Sequence, residues 1–382
     1  MIYLDHNATA PLCASAREAW LGAHDSIFAN PSSLHRPGQR AERALDCARE
    51  QLADHLGSQS ADLVWTSGAT EAANAVIAHL SRHTDRAIAV SEIEHPCILE
   101  AAQRWFEGRL KIIPTDGNGV VQTTEVRALL LSESIGAVAV MAANNETGVL
   151  QPWREIQQLC TKTGTPFVCD ATQWIGRLPA SDLGMCDYVF ASGHKFGAPV
   201  GIGFLKLPAN AVGKNFHSLL LGGPQEEARR AGTQNVAAAM AFVAALRHCA
   251  RNMTSIPARL TLRARIESRL CEEIRSLRII AEPAERLWNT MAILAPAAAD
   301  CRQRWVVRLD AAGVAASSGS ACSSGKEKPS HVLAAMGLAD CADRVVRLSG
   351  GWETSEEEWD RAVDACIATH RKLSAEQPAQ GA

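Results

Sequence analysis

Several features that define other classes of protein are missing from this sequence. Its 382 residues include 38 Lys or Arg and 41 Asp or Glu, giving a formal net charge of −3 without a block of like charges. That balance gives no electrostatic support for a nucleic-acid partner or an acidic membrane surface. No apolar run reaches the roughly 18 residues that a membrane span needs. We therefore expect neither nucleic acid nor membrane as a partner.

The cysteines also lack a pattern. Twelve are scattered along the chain, and none forms a C-x-x-C pair. This argues against a structural zinc site and against a disulfide framework, so we expect no metal and mostly small, buried thiols. Residues 1–6 lack the basic and apolar regions of a signal peptide, which favours a cytoplasmic location.

What the chain does contain is an alternation of short apolar runs with longer amphipathic stretches. Alternation of this kind predicts an α/β domain with a mostly parallel sheet, whose ligands bind beyond the carboxyl ends of the strands. From residue 236 to about 277 helices dominate, and a mixed region follows. We predict a large domain over 16–257 and a smaller α+β domain over 1–15 and 258–382, with an exposed loop at about 315–327. The strand candidates are Leu63–Trp65, Ala87–Val90, Ala137–Val140, Phe167–Cys169, Tyr188–Phe190, Thr290–Leu294 and Val345–Ser349.

Three predicted strands are followed by residues suited to one phosphorylated pyridine cofactor. Ser67-Gly68-Ala69-Thr70 leads into a helix whose N-terminus favours a phosphate, although an ordinary strand-to-helix turn looks the same. Asp170 could keep a pyridinium nitrogen protonated, or simply cap a helix. In Ser192-Gly193-His194-Lys195, the lysine could hold the cofactor aldehyde covalently, with Ser192 and His194 on the phosphate. Alone, Lys195 would be a surface charge, but the three together indicate one site.

Two more side chains follow strands in the same way. His95 could stack on the cofactor ring and move protons, or be a hydrogen-bonded loop histidine. Asn145 could contact the ring hydroxyl or a substrate carboxylate.

The stretch Ala316–Gly325 is small, polar and flanked by glycines, so it predicts a flexible, exposed loop. Cysteine is usually buried, so Cys322 in such a loop suggests a nucleophilic thiolate, with an accidental surface cysteine as the alternative. Arg347 interrupts an apolar strand. It could bind a substrate carboxylate through a bidentate pair, or be an edge-strand charge.

Seven motifs together resemble the cysteine desulfurases of the NifS/IscS-like group, in the same order and over nearly the whole chain to about Leu373. They are YLDHNAT at 3–9, NPSSLH at 30–35, SGATE at 67–71, NNETG at 144–148, DATQ at 170–173, SGHK at 192–195 and GSACSSG at 319–325.

The resemblance implies a fold-type I, class V aminotransferase-like homodimer that uses pyridoxal 5'-phosphate. Its substrate would be L-cysteine, and its sulfur would pass to an acceptor protein such as an iron–sulfur scaffold or carrier. Lys195 would hold the cofactor, His95 would act as acid–base residue and Cys322 would carry the persulfide. The implied cofactor contacts are Ala69, Thr70, Asp170, Gln173, Ser192, His194 and, offered to the other subunit, Thr233; the implied substrate contacts are Asn145 and Arg347.

Some positions depart from the family pattern. Glu227 stands where an arginine is usual, Ala231 replaces a usual serine, and glycines 350 and 351 follow the Arg347 strand where side chains are usual. Three alternatives stay open: a selenocysteine lyase, another aminotransferase-like activity on this fold, and a non-catalytic scaffold. A scaffold would have no need of Lys195, Asp170, His95 and Cys322 together.

Overall fold

The computed structural model describes residues 1–132, 134–209, 215–297, 301–318 and 330–375. Its strands are β1 (Ile2–Tyr3), β2 (Leu63–Thr66), β3 (Ala87–Ser91), β4 (Leu110–Ile113), β5 (Ile135–Ala139), β6 (Phe167–Asp170), β7 (Tyr188–Ser192), β8 (Gly203–Lys206), β9 (Arg278–Ile279), β10 (Thr290–Leu294), β11 (Val314–Ala315) and β12 (Val345–Ser349). Its helices are α1 (Ala14–Ser26), α2 (Arg36–Leu56), α3 (Ala69–His83), α4 (Pro96–Trp105), α5 (Thr123–Ser132), α6 (Trp153–Thr163), α7 (Val236–Asn252), α8 (Ile256–Glu273), α9 (Cys301–Ala311), α10 (His331–Ala335) and α11 (Glu356–Ala375).

Seven strands form the central sheet, in the order β2-β8-β7-β6-β5-β3-β4. All its neighbouring pairs are parallel except those of β8, which runs antiparallel to both β7 and β2. This confirms the predicted α/β fold with a mostly parallel sheet. The prediction missed two strands of this sheet. Strand β4 lies at the edge of the sheet and contains a lysine, and strand β8 begins with glycine. Both signals lower the apparent strand propensity of a short segment.

The inner strands are buried on both faces, as expected for a parallel sheet covered by helices. One face packs against α3 and α4, with Val76 and Ile98 in the core. The opposite face packs against α6 and α7, through side chains such as Trp153 and Phe242.

A second, smaller core lies around the three-stranded antiparallel sheet β12-β10-β9. It buries side chains from 262–373 together with Ile2 and Leu4 from the start of the chain. Strand β1 pairs in parallel with β11, and Asp5 bridges to Ser349 at the end of β12. The N-terminal segment therefore runs from the small core to the edge of the large sheet. The exact domain bounds stay a prediction.

Candidate active site

Several of the predicted cofactor-binding residues lie at the carboxyl edge of the large sheet. Asp170 and Ser192 are the last residues of β6 and β7, rather than the first residues after them. Because β6 and β7 are parallel neighbours, their ends meet at one edge. Three more predicted segments follow strands that end at this edge, namely 67–70 after β2, 92–95 after β3 and 140–145 after β5.

The turn before α3 has the features of a phosphate-binding turn. Gly68 caps α3 and has no side chain, so the first backbone N–H groups of the helix find no acceptor in the N-cap residue. The N–H of Ala69 donates to Ser192 Oγ at 2.7 Å, which joins this turn to the end of β7. Thr70 is exposed in the first turn of α3. A β-carbon on Gly203 would lie 2.7 Å from the Gly68 Cα, so the close packing of β8 on this turn requires glycine.

Asp170 places a buried carboxylate beside this turn. One of its oxygens accepts a hydrogen bond from the Thr172 N–H at 2.9 Å. Burial raises the pKa of Asp170, while the Thr172 hydrogen bonds and then the charges of His95 and Lys195 act in the opposite direction. A carboxylate held in such a place is stabilised by a nearby cation.

Lys195 and Gln173 meet at the backbone of Asn7. Lys195 Nζ donates to the carbonyl oxygens of Asn7 at 3.0 Å and Ala8 at 2.7 Å. Gln173 Nε2 donates to the same Asn7 oxygen at 3.0 Å. The other amide atom, Gln173 Oε1, is buried and accepts no hydrogen bond from the described residues. The lysine amine and an unsatisfied acceptor therefore lie side by side.

His194 is fixed by the N-terminal segment as well. Its Nδ1 is 2.8 Å from Thr9 Oγ1, and its backbone carbonyl accepts from the Ala10 N–H at 2.8 Å. Burial, reinforced by the neighbouring Lys195 charge, lowers the pKa of His194 to about 4. The ring is therefore neutral at pH 7.

His95 is the N-cap residue of α4. Its Nδ1 accepts a hydrogen bond from the Cys97 N–H at 3.2 Å, so the neutral ring carries its proton on Nε2. Burial lowers the pKa of His95, and the Asp170 charge opposes that shift. A neutral imidazole at this place can accept or relay a proton.

Arg347 is buried in β12, with only 1% of its surface exposed. Its guanidinium donates to Asp5 Oδ1 at 2.6 Å and to the backbone oxygen of Asn145 at 2.8 Å. Asn7 Nδ2 donates to that same Asn145 oxygen at 3.1 Å. A short chain of hydrogen bonds thus connects the predicted carboxylate-binding arginine with Lys195, and Arg347 is a buried ion-paired residue rather than an edge-strand surface charge.

Cys322 lies outside the described residues. The structure describes the chain before and after it, and on each side a described residue contacts a residue of the site. Ser317 and Arg347 exchange backbone hydrogen bonds of 3.1 and 2.7 Å. On the other side, Ser330 Oγ donates to Glu146 Oε2 at 2.5 Å.

Thr233 is exposed, on the segment that precedes α7. This segment is held to the phosphate-binding turn, since Arg230 Nε lies 2.9 Å from Glu71 Oε1 and Glu71 Oε2 accepts from the Ser67 N–H at 2.8 Å. Glu227, the departure noted above, points outward and pairs with Arg229 at 3.3 Å. The neighbouring residue Glu226 is the buried acid of this segment, and its carboxylate accepts hydrogen bonds from both terminal nitrogens of Arg49.

The unusual glycines after β12 have a steric explanation. A β-carbon on Gly351 would lie 2.3 Å from the ring of His6, which is itself buried. Burial lowers the pKa of His6 to about 4, with Arg177 adding to the effect. The histidine at position 6 and the glycine at 351 therefore fit one another.

Sequence reasoning missed several residues that build the site. Asn7, Arg177 and Glu94 are all buried there, and Arg177 donates to the Lys195 backbone oxygen at 3.0 Å. Asn7 falls inside the YLDHNAT motif, which was the available signal. Glu94 precedes His95 and accepts the Met141 N–H at 2.6 Å.

The residues present fit pyridoxal phosphate. The start of α3 offers N–H groups to a phosphate, the buried Asp170 suits a protonated ring nitrogen, and Gln173 Oε1 lacks the donor that a ring hydroxyl would supply. No group of three or more His, Cys, Asp or Glu side chains suited to a metal ion occurs within the described ranges. Over the same ranges, none of the helices has both the length and the apolar character of a membrane span.

Comparison with known proteins agrees with this geometry. The family model "Aminotransferase class-V" matches residues 2–361. The chain therefore belongs to the class-V aminotransferase family of enzymes. A cysteine desulfurase of Trichormus azollae is 34% identical over 385 residues, covering 99% of this chain and 95% of that protein. Within the family, the chain belongs to the cysteine desulfurase group.

Solved structures give the same fold. A NifS-like protein superposes with a TM-score of 0.87 at 28% identity, covering 98% of this chain and 99% of the other. The structure described as SspA in complex with cysteine superposes with a TM-score of 0.78 at 26% identity, covering 91% and 98%. The fold-type I assignment is thereby confirmed.

Proposed function

We propose that this enzyme uses pyridoxal phosphate to remove sulfur from L-cysteine, forming L-alanine and a persulfide on Cys322. The observation that carries the proposal is the meeting of the Lys195 amine, the buried Asp170 and the open start of α3 at one sheet edge, with Ser317 paired to Arg347 beside it. An aminotransferase-type site explains the first three features. The fourth supports the proposal because Ser317, five residues before Cys322, is held beside Arg347.

The bound cofactor would supply an electron sink for the carbanion at the substrate α-carbon. Ala69, Thr70, Ser192 and His194 would hold its phosphate, with Thr233 contributed by the partner of a homodimer. Asp170 would hold a proton on the ring nitrogen, and Gln173 would contact the ring hydroxyl.

The protein's own groups would divide the proton transfers. Lys195 would hold the cofactor and, once displaced by the substrate amine, would take the α-proton. His95, neutral near pH 7 because burial lowers its pKa, would relay protons. Arg347 and the side chain of Asn145 would bind the substrate carboxylate, with the guanidinium already oriented by Asp5.

The sulfur step is balanced without an external oxidant. The Cys322 thiolate forms an S–S bond with the substrate sulfur while the substrate Cβ–S bond breaks. The electron pair of the broken bond stays with the three-carbon fragment, which gains a proton at Cβ and leaves as L-alanine. The two sulfurs are oxidised and the β-carbon is reduced.

Chain length allows the proposed transfer. Cys322 lies five residues beyond Ser317, so an extended chain would carry it as far as ~17 Å from the Ser317–Arg347 pair. Only Asn145 and Asn7 separate Arg347 from Lys195 along the chain of hydrogen bonds. This reach supports Cys322 as the nucleophile.

We expect the persulfide sulfur to pass to an acceptor protein for iron–sulfur cluster or other sulfur-compound synthesis. The homodimer and the cytoplasmic location stay predictions from the sequence.

Turnover with L-cysteine tests the proposal. L-alanine should appear in equal amount to persulfide in a single turnover, and sulfide should be released when a thiol reductant is added. Turnover of selenocysteine alone would instead identify a lyase of that substrate. Bound cofactor without any turnover would identify a scaffold.

A further inference from the structure

Four residues form hydrogen bonds that hold the chain at positions 330 and 331, eight and nine residues after Cys322, and none of the four belongs to the proposed catalytic set. Ser330 caps α10 by accepting the Leu333 N–H at 3.1 Å. Its hydroxyl proton is donated to Glu146 Oε2 at 2.5 Å. The ring nitrogen Nε2 of the next residue, His331, lies 2.8 Å from the Glu94 backbone oxygen.

These contacts join positions 330 and 331 to two loops, and each loop carries a residue proposed to act on the substrate. Glu146 directly follows Asn145, and Glu94 directly precedes His95. Glu146 is itself fixed, because its backbone N–H donates to Asn144 Oδ1 at 2.9 Å. Ser330 and Glu146 are both buried, with 4% and 6% of their surfaces exposed, so their hydrogen bond is shielded from water.

The described residues before and after positions 319–329 are held by different parts of the fold. Ser317 pairs with β12, which belongs to the smaller core. At the other end, Val332 and Leu333 of α10 pack into the large core. The Ser330 and His331 contacts join this part of the chain to the loops that carry Asn145 and His95.

We propose that Ser330, through Glu146, is a positioning residue for the transfer of sulfur to Cys322, with His331 as a second tie. The inference rests on the proposed function. Ser330 does not contact Lys195, Asp170 or the phosphate-binding turn in any hydrogen bond of the described residues. Its loss should therefore slow the step at Cys322 and leave the earlier proton chemistry unchanged.

The test separates these two steps in the holoenzyme. Exchange of the α-hydrogen of L-alanine in deuterium oxide, followed by NMR, reports the proton chemistry without sulfur transfer. Persulfide formation in a single turnover of L-cysteine, followed by alkylation and mass spectrometry, reports the step at Cys322. For Ser330→Ala we expect persulfide formation to slow about 10- to 100-fold, as for loss of a hydrogen bond to a charged group, while exchange stays within about twofold of wild type.

Three variants sharpen the comparison. Ser330→Thr keeps the hydroxyl and should restore most of the transfer rate. Ser355→Ala removes a similar cap, since Ser355 Oγ accepts the Glu358 N–H at 3.2 Å before α11, and should affect neither step. Glu146→Leu should reproduce the Ser330→Ala defect.

Each result decides between distinct conclusions. Normal persulfide formation in Ser330→Ala, or an equal loss of both steps, would overturn the positioning role. If wild type itself formed no persulfide while still exchanging the α-hydrogen, the proposed function would fail, and this inference with it.

Discussion

Lys195 and Gln173 donate hydrogen bonds to the same atom, the backbone oxygen of Asn7, each at 3.0 Å. The N-terminal segment thus holds the lysine amine in the site with two backbone acceptors, the carbonyl oxygens of Asn7 and Ala8. Asn7 is itself held by Thr290 Oγ1, which accepts from its Nδ2 at 3.0 Å. Strand β10 of the smaller sheet therefore contributes, through Asn7, to the orientation of the lysine that follows β7 of the large sheet.

The first prediction concerns cofactor attachment. Lys195→Ala should abolish borohydride fixation of the cofactor to the protein, because only the ε-amine can bond to its aldehyde, and should lower activity about 100- to 10,000-fold. Intact mass after borohydride treatment gives the measurement. The control Lys162→Ala removes an exposed lysine on α6 and should behave as wild type. Fixation that persists in Lys195→Ala would place the attachment elsewhere.

A second prediction tests the role of Asp170. Asp170→Asn should still bind cofactor, but α-hydrogen exchange should fall about 100- to 10,000-fold because an amide cannot keep the ring nitrogen protonated. Asp187→Asn is the matched control, since Asp187 is also an acid whose pKa burial raises and which accepts a backbone N–H, from Phe167 at 2.9 Å. Comparable exchange rates in the two variants would contradict the assignment.

A third prediction concerns Arg347. Arg347→Lys keeps the charge but loses the planar fork, so the KM for L-cysteine should rise about 10- to 100-fold with a smaller change in kcat. Steady-state kinetics give both values. A lowered kcat at unchanged KM would show that the arginine acts on a step after binding.

A fourth prediction concerns acid stability. His79 is fully buried beneath Phe216, and burial, with the charges of His83, His217 and Arg82, lowers its pKa to about 3. The pKa of a histidine in the unfolded chain is about 6.5. Because the folded protein lowers it, the stabilisation from this residue is complete above about pH 6.5 and is lost as the pH falls towards about 3.

Thermal unfolding between pH 7 and 4 measures this effect. The Tm of the wild type should fall as the pH is lowered, and the Tm of His79→Phe should fall less over the same interval. Asp170 and Glu94 change the pH dependence of stability in the opposite direction, because burial raises the pKa of each. They do not affect the comparison, since wild type and His79→Phe both contain them. His24→Gln, which removes an exposed histidine, should leave the slope as in wild type. Parallel curves for His79→Phe and wild type would refute the assignment.

The sequence indicated candidate site residues but not the contacts that hold them. Asp170, Ser192 and Lys195 were identifiable because each is a chemically distinctive residue at the end of an apolar run. Backbone acceptors have no such signature, so the role of the Asn7 and Ala8 carbonyls could not be read from residue type. The contacts of Ser330 with Glu146 join positions 184 apart in sequence, and no local pattern reports such a pairing.

Parts of the fold escaped prediction for related reasons. Strand β8 is four residues long and antiparallel to both neighbours. It therefore lacks the preceding crossover helix that helps to identify a parallel strand in a sequence. The left-handed backbone of Glu226, Glu227 and Ala228, with φ values of 51°, 56° and 60°, has no glycine to signal it. The buried Arg49–Glu226 pair, at 2.7 Å, adds a contact between residues far apart in sequence that no local pattern indicates.

Trapping the persulfide after one turnover tests the central claim most directly. Wild type and Cys97→Ser should each carry one added sulfur on Cys322, because burial raises the pKa of Cys97 and keeps that thiol protonated near the site. Cys322→Ser should carry none while still exchanging the α-hydrogen of L-alanine at the wild-type rate. Sulfur transfer at the normal rate in Cys322→Ser, or sulfur found on Cys97 in wild type, would contradict the account.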